Sequence, residues 1–389
     1  MNDTPTSRRE FLQLVASAAL IGSATPSAGE PIEATLPGLG DPALHISFDS
    51  SLRSRLSRQS PQGGEPEIVL SNWAATETLL LGTGERVALF ALGQTTRKRI
   101  DGLHGPGHQL TLVGKSSAGI EKTVSVALFT RYPGFLFLNV TYRNLADQPI
   151  ALSDWRNADR EFLTLPSPDQ PAPAGGSAFW SYCGSSHQDR RDWVQPVTPG
   201  FEQDNFMGMN ASDYGGGIPF VAAWQRSVGL AVGHLETRPQ LVSLPLIAST
   251  HGIRMAIAGQ PGTQLQPGEA FATPECFIAA HSGDHFATVD AYRRIMAERG
   301  LAAPTPPPGA YEPVWCAWGY ERACTPDLIL RTLPKVKDLG LGWAVIDDGW
   351  QDNVGDWKPD RVKFPGGGPD MRHLADSIRA ESLKPRLWV

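Results

Sequence analysis

The chain has 389 residues, of which 41% are apolar and 19% charged, with a net charge of −6. This composition is typical of a globular protein long enough for two domains. No long basic run is present, so the charge gives no support for nucleic-acid binding. Glycine and proline are frequent, at 40 and 33 residues, which favours a β protein rich in loops.

The first 28 residues have the pattern of an export signal. Arg8 and Arg9 are followed by Phe11-Leu12, an apolar stretch at 14–22, and small residues up to Ala28. A charged region, an apolar region and small residues in this order predict a signal peptide, and the paired arginines favour the bacterial twin-arginine route. The alternative is an N-terminal amphipathic helix. The apolar stretch is too short to span a bilayer, so we expect a periplasmic or secreted protein without a membrane anchor after signal removal.

Residues 29–283 are expected to form a β domain. Apolar and polar residues alternate at 123–129 and 135–142, and segments 219–224 and 228–236 flank three residues that fit a hairpin turn. Further strands are predicted at 252–257 and 275–279. Many short strands separated by turn residues indicate a large antiparallel sandwich.

Residues 284–310 are predicted to form a helix and a linker. Asp284 is a suitable N-cap, and Gly300 is suited to end the helix. The apolar face is expected to consist of Phe286, Val289, Tyr292, Ile295 and Met296. The proline-rich run at 304–309 is typical of a stiff linker, and the domain boundary is placed there.

In residues 311–389 the spacing of the apolar residues changes, and strand and helix patterns alternate. Apolar strands are predicted at 311–318, 343–346 and 384–389, with helices between them. Thr325 and Pro326 form a typical helix start, and the first helix is expected to have its apolar face on Leu328 or Ile329, Leu333, Val336 and Leu339. Pro334 lies inside this pattern at a cost of ~3 kcal/mol, which predicts a kink or an interruption.

The alternation of strands and helices predicts parallel βα units. A closed eight-stranded barrel requires ~250 residues, whereas only about 80 follow the linker. The fold is therefore expected to be multidomain, β plus α/β: a large antiparallel β-supersandwich followed by the first strands of a truncated (β/α)8 TIM barrel over 311–389. The alternative for this segment is a small three-stranded α/β appendage.

Candidate functional residues follow these three strands. They are Trp318 and Tyr320 after the first strand, Asp347, Asp348 and Trp350 after the second, and Trp388 at the third. Adjacent carboxylates at a buried strand end are costly unless they are used, and ionised carboxylates accept sugar hydroxyls in charge-assisted hydrogen bonds. Aromatic rings pack on the apolar face of a sugar, so the combination indicates a carbohydrate site. The alternatives are a helix cap or turn for the acid pair, and barrel core for the tryptophans.

Two loops of the β domain are weaker candidates. His187 begins the polar segment 187–193, and Asp213 precedes Tyr214 and three glycines. Either loop could reach a barrel mouth, but a salt-bridged surface loop and a glycine-rich turn are the alternatives. Neither loop supplies a third ordered metal ligand, so we expect no metal and no cofactor.

The four cysteines show no metal-binding spacing. Cys183, Cys276, Cys316 and Cys324 lack CxxC pairs and histidines at zinc spacing. Free buried thiols are expected, while a disulfide between Cys316 and Cys324 stays open for an exported protein.

Several motifs together resemble one enzyme family. They are Trp-Cys-Ala-Trp-Gly-Tyr at 315–320, Val-Ile-Asp-Asp-Gly-Trp-Gln at 345–351, Gly-Asp-Trp at 355–357, Lys-Phe-Pro at 363–365 and Leu-Trp at 387–388. This set resembles the opening of the α-galactosidase catalytic domain of glycoside hydrolase family 36. The preceding β domain resembles that family's N-terminal supersandwich, and residues 212–219 resemble a stretch of its bacterial and raffinose-synthase-like members.

The resemblance implies a retaining exo-hydrolase that releases terminal α-galactosyl residues from oligosaccharides. Asp347 and Asp348 would bind hydroxyls in the −1 subsite, and Trp318 and Trp388 would line its wall. The family's nucleophile and acid/base lie on later strands, so they are expected beyond Val389 and the chain itself is expected to be inactive. The alternatives are a raffinose-synthase-like galactosyl transferase and a non-catalytic sugar-binding fragment. A homo-oligomer stays open for the full-length enzyme.

Overall fold

The computed structural model describes residues 36–60, 67–163, 179–183, 193–207, 218–225, 228–238 and 240–389. The predicted signal peptide, His187 and Asp213 lie outside these residues. The chain divides into two compact units, Met1–Ala302 and Ala303–Val389. Among the described helices, none combines the length and apolarity needed to cross a membrane.

The first unit consists mainly of antiparallel strands. Strands β1 to β7 are Gly38–Gly40, His45–Phe48, Ser54–Arg58, Ile68–Ala74, Thr78–Leu81, Arg86–Val87 and Ala91–Gly102. Strands β8 to β14 are Gly105–Lys115, Ile120–Phe129, Phe135–Asn144, Ile150–Leu163, Phe179–Tyr182, Val194–Val197 and Glu202–Met207. Strands β15 to β21 are Phe220–Gln225, Val228–His234, Val242–Ala248, Gly252–Gly259, Thr263–Leu265, Ala270–Ala272 and Cys276–His281.

These strands form three sheets. A ten-stranded sheet has the order β13-β12-β15-β16-β21-β10-β9-β8-β7, with β20 paired to β10. A seven-stranded sheet has the order β14-β17-β18-β11-β5-β6, with β19 paired to β11, and β1 to β4 form the third sheet in chain order. The predicted antiparallel β domain is thereby confirmed.

The main core lies between the two large sheets. Val124 and Val126 of β9 face it together with Leu136 and Leu138 of β10. The intervening Phe137 lies on the opposite face of the ten-stranded sheet, in a second apolar cluster. The alternation predicted for both strands is therefore confirmed, and so is the hairpin, because β15 and β16 pair with Gln225 opposite Val228.

Helix α1, Phe286–Met296, covers the second apolar cluster, to which it contributes Ile295 and Met296. It continues into a π-helical turn at Ala297–Leu301, where Gly300 has φ 90°. Asp284 accepts the Phe286 N–H at 3.0 Å, although the cap position itself is His285. The prediction that Phe286 lies on the buried face was wrong. This residue is 66% exposed, because the ring of the first helical residue packs beside His285 rather than on the sheet.

The second unit contains three parallel strands. Its elements in chain order are β22 Val314–Cys316, a 3₁₀ helix Ala317–Ala323, α2 Pro326–Asp338, β23 Trp343–Ile346, α3 Gly368–Ala380 and β24 Lys384–Leu387. The strand order is β22-β23-β24, with β23 in the centre. The predicted parallel βα units are confirmed, whereas closure into a barrel stays a prediction.

Three details of this unit differ from expectation. The first strand is shorter than 311–318, since Tyr311 is 89% exposed and Trp318 lies in the 3₁₀ helix. Helix α2 continues through Pro334 without an interruption. Pro334 is exposed while Leu333 is buried, so one lost hydrogen bond on the solvent side is offset by the packed apolar face. Leu339 is 63% exposed at the C-cap and does not belong to that face.

Candidate functional site

The carboxyl ends of the three parallel strands lie at one edge of their sheet. Cys316 pairs with Val345, and Ile346 pairs with Leu387. The chain segments that follow carry Trp318, the acid pair and Trp388, and the Trp388 N–H donates to Ile346 O at 2.9 Å. The structure therefore brings the four principal candidates, Asp347, Asp348, Trp318 and Trp388, to the same edge.

Asp348 is held by charged and polar side chains. Arg322 donates to its Oδ2 from Nε at 3.1 Å and from Nη2 at 2.9 Å. Gln351 Nε2 donates to Oδ1 at 2.8 Å, and the Asp348 side chain is only 15% exposed. A cation and an amide thus fix the position of both carboxylate oxygens.

The described partners of Asp347 are neutral. Its Oδ1 accepts the N–H of Asp348 at 2.7 Å, and its Oδ2 accepts the thiol of Cys316 at 2.8 Å. Burial raises the pKa of the Cys316 thiol and the bond to Asp347 raises it further, so this thiol keeps its proton at neutral pH. Each carboxylate oxygen has about two acceptor positions, so Asp347 retains acceptor capacity for ligand hydroxyls.

A lysine connects the segments that follow β22 and β23. Lys363 Nζ donates to Arg322 O and to Gly349 O, each at 2.5 Å. Gly349 has φ 96°, and a Cβ there would lie 2.9 Å from the Arg322 Cα. Gln351 Oε1 accepts the Gly349 N–H at 3.0 Å. We refer to Arg322, Gly349, Gln351 and Lys363 as the acid-pair brace, because they hold the backbone on both sides of Asp348.

Four tryptophans differ in how much of their surface is available. Trp318 is 46% exposed and Trp388 is 37% exposed. Trp350 is 5% exposed and donates its Nε1–H to Trp388 O at 2.9 Å, so it fixes the backbone that follows β24. Trp357 is 39% exposed and contacts both Trp350 and Trp388, with ring centroids 6.4 and 5.7 Å apart. Trp357 was not among the predicted site residues, although the Gly-Asp-Trp motif that contains it was the available signal.

Tyr320 is directed toward helix α2. The Thr332 hydroxyl donates to Leu328 O at 2.9 Å, so the Tyr320 hydroxyl donates to Thr332 Oγ1, at 2.8 Å. Its ring also makes an edge contact with Trp315. A direct role of Tyr320 or Trp350 with a ligand stays a prediction.

The metal-ligating residue types do not gather in the described part of the chain. No group of three or more His, Cys, Asp or Glu side chains there could hold a metal ion. Cys316 and Cys324 are both free thiols in the structure, without a disulfide between them.

The described chain thus combines an antiparallel β domain with parallel βα units whose strand ends carry carboxylates and indoles. No family model matches the chain. The A type blood alpha-D-galactosamine galactosaminidase of Flavonifractor plautii is 23% identical over 372 residues, which cover 93% of this chain and 32% of that protein. Alpha-galactosidase Mel36A of Lactobacillus acidophilus is 31% identical over 136 residues, covering 32% of this chain and 18% of that protein.

Solved structures show a similar fold. The GH36 alpha-galactosidase AgaA of Geobacillus stearothermophilus gives a TM-score of 0.54 at 15% identity, covering 91% of this chain and 56% of that one. The alpha-N-acetylgalactosaminidase NagBb of Bifidobacterium bifidum gives 0.54 at 13% identity, covering 90% of this chain and 58% of that one. The relatives point to the α-galactosidases and galactosaminidases of glycoside hydrolase family 36, which confirms the resemblance inferred from the motifs. The chain spans about a third of the Flavonifractor protein and a little over half of these solved chains.

Proposed function

We propose that the protein carrying this chain is a retaining exo-acting α-galactosidase that releases terminal α-galactosyl residues from oligosaccharides. The observation that carries the proposal is the acid pair at the end of β23, held beside exposed indoles at the same sheet edge. The alpha-galactosidases among the relatives support the same activity.

The acid pair is assigned to sugar binding rather than to bond cleavage. A retaining glycosidase uses two carboxyl groups ~5–5.5 Å apart, one as nucleophile and one as acid/base. Asp347 and Asp348 are chain neighbours at one strand end, and Asp348 is already paired with Arg322. Hydrogen bonds to a charged acceptor contribute ~1.5–3 kcal/mol each, so the pair can supply much of the affinity for a galactosyl unit.

The two carboxylates are expected to differ in their contribution. Asp347, with its neutral partners, is proposed as the main acceptor of ligand hydroxyls. Asp348 is proposed to hold the loop through Arg322 and to offer its remaining acceptor positions. Trp318, Trp388 and also Trp357 are proposed to wall the pocket with their exposed ring faces.

A galactosaminidase is the second candidate. The observation in its favour is that the Flavonifractor galactosaminidase matches 93% of this chain, whereas Mel36A matches 32%. The difference between the two substrates lies at the C2 substituent of the sugar. The relatives named above favour hydrolysis over transfer, so the transferase alternative has no support from them.

A substrate pair distinguishes the two candidates. The protein carrying this chain would be assayed with aryl α-galactoside and aryl α-galactosaminide, with sucrose as an added acceptor in a second series. Release of galactose as the faster reaction supports the proposal, and faster release of galactosamine supports the second candidate. Transfer to sucrose that outpaces hydrolysis would contradict both.

We further propose that the second unit opens a (β/α)8 barrel. In the described chain, β22 and β24 each pair on one side only, with β23 between them, and an unpaired edge in a parallel sheet is normally covered. A structure of the protein carrying this chain should show parallel strands on the free sides of β22 and β24. Antiparallel neighbours there would contradict the barrel.

Export by the twin-arginine route is also proposed, from residues 1–28. A fusion of this segment to a reporter protein should reach the periplasm, and replacement of Arg8 and Arg9 by lysine should retain the reporter in the cytoplasm. Export that persists in that double variant would contradict the route.

A further inference from the structure

A row of large rings lies on the outer face of the ten-stranded sheet, beside helix α1. Trp180 of β12 pairs with Trp224 of β15, and Trp224 pairs with Gly229 of β16. Gly229 in turn pairs with His281 of β21. Residues directly opposite each other in antiparallel strands share a face of the sheet. The flanking Phe179 belongs to the main core, so this row points away from it.

Further rings extend the row into a surface. The Tyr182 ring stacks on His285, with centroids 4.2 Å apart and planes at 11°. His285 stacks on Phe286 at 4.6 Å and on Trp224 at 5.2 Å, and Trp193 stacks on Tyr182 at 6.4 Å. We name this surface, formed by Trp180, Tyr182, Trp193, Trp224, His285 and Phe286, the aromatic ledge.

The outer members of the aromatic ledge are open to solvent. Trp180 is 46% exposed, Trp193 42% and Phe286 66%, while Trp224 beneath them is 8% exposed. Burying exposed apolar surface of this kind in a complex is favourable, and exposed apolar patches commonly mark interaction sites. Helix α1 covers the neighbouring part of the same face, and no described helix or strand covers these rings where that helix begins.

The backbone beneath the rings is adapted to them. A Cβ at Gly229 would collide with the His281 ring and lie 2.7 Å from the Trp224 Cβ. Only glycine lets both rings lie over this strand. The arrangement is thus built into the sheet rather than made by surface side chains alone.

The chemistry of the aromatic ledge suits a neutral, hydroxylated ligand. Burial lowers the pKa of His285, so the imidazole in the stack is uncharged at neutral pH. Burial raises the pKa of Tyr182, so its hydroxyl keeps its proton, and each exposed indole has an N–H donor. Flat ring faces with donors at their edges match the apolar C–H face and the peripheral hydroxyls of a pyranose ring.

We propose that the aromatic ledge is a further carbohydrate-binding surface, which takes the apolar face of α-galactosyl units in an oligosaccharide or polysaccharide. The identity of the sugar as galactosyl rests on the proposed function. Binding itself does not, because it is argued from the rings of the first unit alone.

Native electrophoresis through a gel that contains soluble galactomannan tests this proposal on the complete chain. The unaltered protein should be retarded, and Trp193→Ala combined with Trp180→Ala should weaken the apparent affinity roughly tenfold or more, because the stacked ring faces are lost. Trp193→Phe keeps a ring and should retain most of the retardation. Tyr311→Ala removes an 89% exposed aromatic residue outside the ledge and is the matched control.

The outcomes separate this proposal from the proposed function. In an Asp347→Asn background, adding Trp180→Ala and Trp193→Ala should still weaken the retardation, because the ledge is expected to bind without the acid pair. A protein whose retardation depends on these two tryptophans but that hydrolyses no galactoside would contradict the proposed function and support the ledge. Absence of retardation in the unaltered protein, or equal retardation of the folded double variant, would overturn the ledge. Equal retardation in hydroxyethylcellulose would contradict the galactosyl preference. If sedimentation shows instead that the double variant dissociates an oligomer, the ledge is an interface between copies and the proposal is wrong.

Discussion

The lysine of the acid-pair brace offers the sharpest test of how the site is held together. Lys363→Met removes the only side chain that donates to both Arg322 O and Gly349 O among the described contacts, each at 2.5 Å. Hydrogen bonds from a charged donor contribute ~1.5–3 kcal/mol each. Lys363 is half-buried, so water replaces part of the loss, and we expect the segment around Gly349 to be destabilised by about 2 kcal/mol.

Hydrogen exchange followed by mass spectrometry reads this loss locally, without requiring the two units to unfold together. A change of about 2 kcal/mol corresponds to roughly thirtyfold faster exchange, expected in peptides that cover 347–351. Lys358→Met is the matched control. Lys358 is 71% exposed, and its described ion pair with Asp356 is long, at 3.9 Å. If exchange in this segment accelerates no more in Lys363→Met than in Lys358→Met, the brace does not hold the acid pair.

Three further predictions concern backbone geometry, pH and ligand affinity. Gly349→Ala should lower the free energy of unfolding of the second unit by about 1–3 kcal/mol, because Gly349 has a positive φ and a Cβ there would collide with the Arg322 backbone. Gly319→Ala, at a position with open space around it, should leave this free energy unchanged, and urea denaturation measures both variants. Burial lowers the pKa of Lys122 from 10.5 to about 8, so its charge destabilises the folded chain below that pH. The free energy of unfolding should therefore rise by up to about 3 kcal/mol between pH 8 and 10.5, and a Lys122→Met variant with an equal rise would contradict this. In the protein carrying this chain, Asp347→Asn should weaken galactose binding by roughly tenfold or more through loss of charge-assisted bonds, and calorimetry that shows no loss would remove Asp347 from the site.

Local patterns predicted much of the fold. The alternation in β9 and β10 follows from a strand with one face on the main core, and Val124 and Leu138 lie there as expected. Thr325 caps α2 by accepting the Leu328 N–H at 3.3 Å, a contact made within four residues of chain. Such features depend on neighbours in sequence, so they can be inferred from it.

Features that depend on distant partners were not predicted. Lys363 lies 41 residues from Arg322 in sequence, and no local pattern indicates that its ammonium bridges two loops. No local pattern indicates either that the Cys316 thiol donates to Asp347. Phe286 fits a helical apolar face by spacing but lies where the sheet no longer covers it.

Proline in α2 shows how packing can outweigh a local rule. Pro334 predicts an interruption by its missing N–H, and the helix continues because Leu333 and Val336 remain packed on the core of the second unit. In the candidate site, the strand-end position of the acid pair was inferable from parallel βα order. The sequence did not indicate which of the two carboxylates has a cationic partner, because Arg322 and Asp348 lie on two different loops.

Hydrolysis of aryl α-galactoside by the protein that carries this chain, compared with its Asp347→Asn variant, tests the central proposal most directly. Galactose release with retained anomeric configuration, and a KM increase of roughly tenfold or more in the variant, is the expected result. The same kcat and KM for both proteins, or no cleavage of the galactoside alongside cleavage of another α-glycoside, would contradict an α-galactosidase whose sugar is bound by the acid pair.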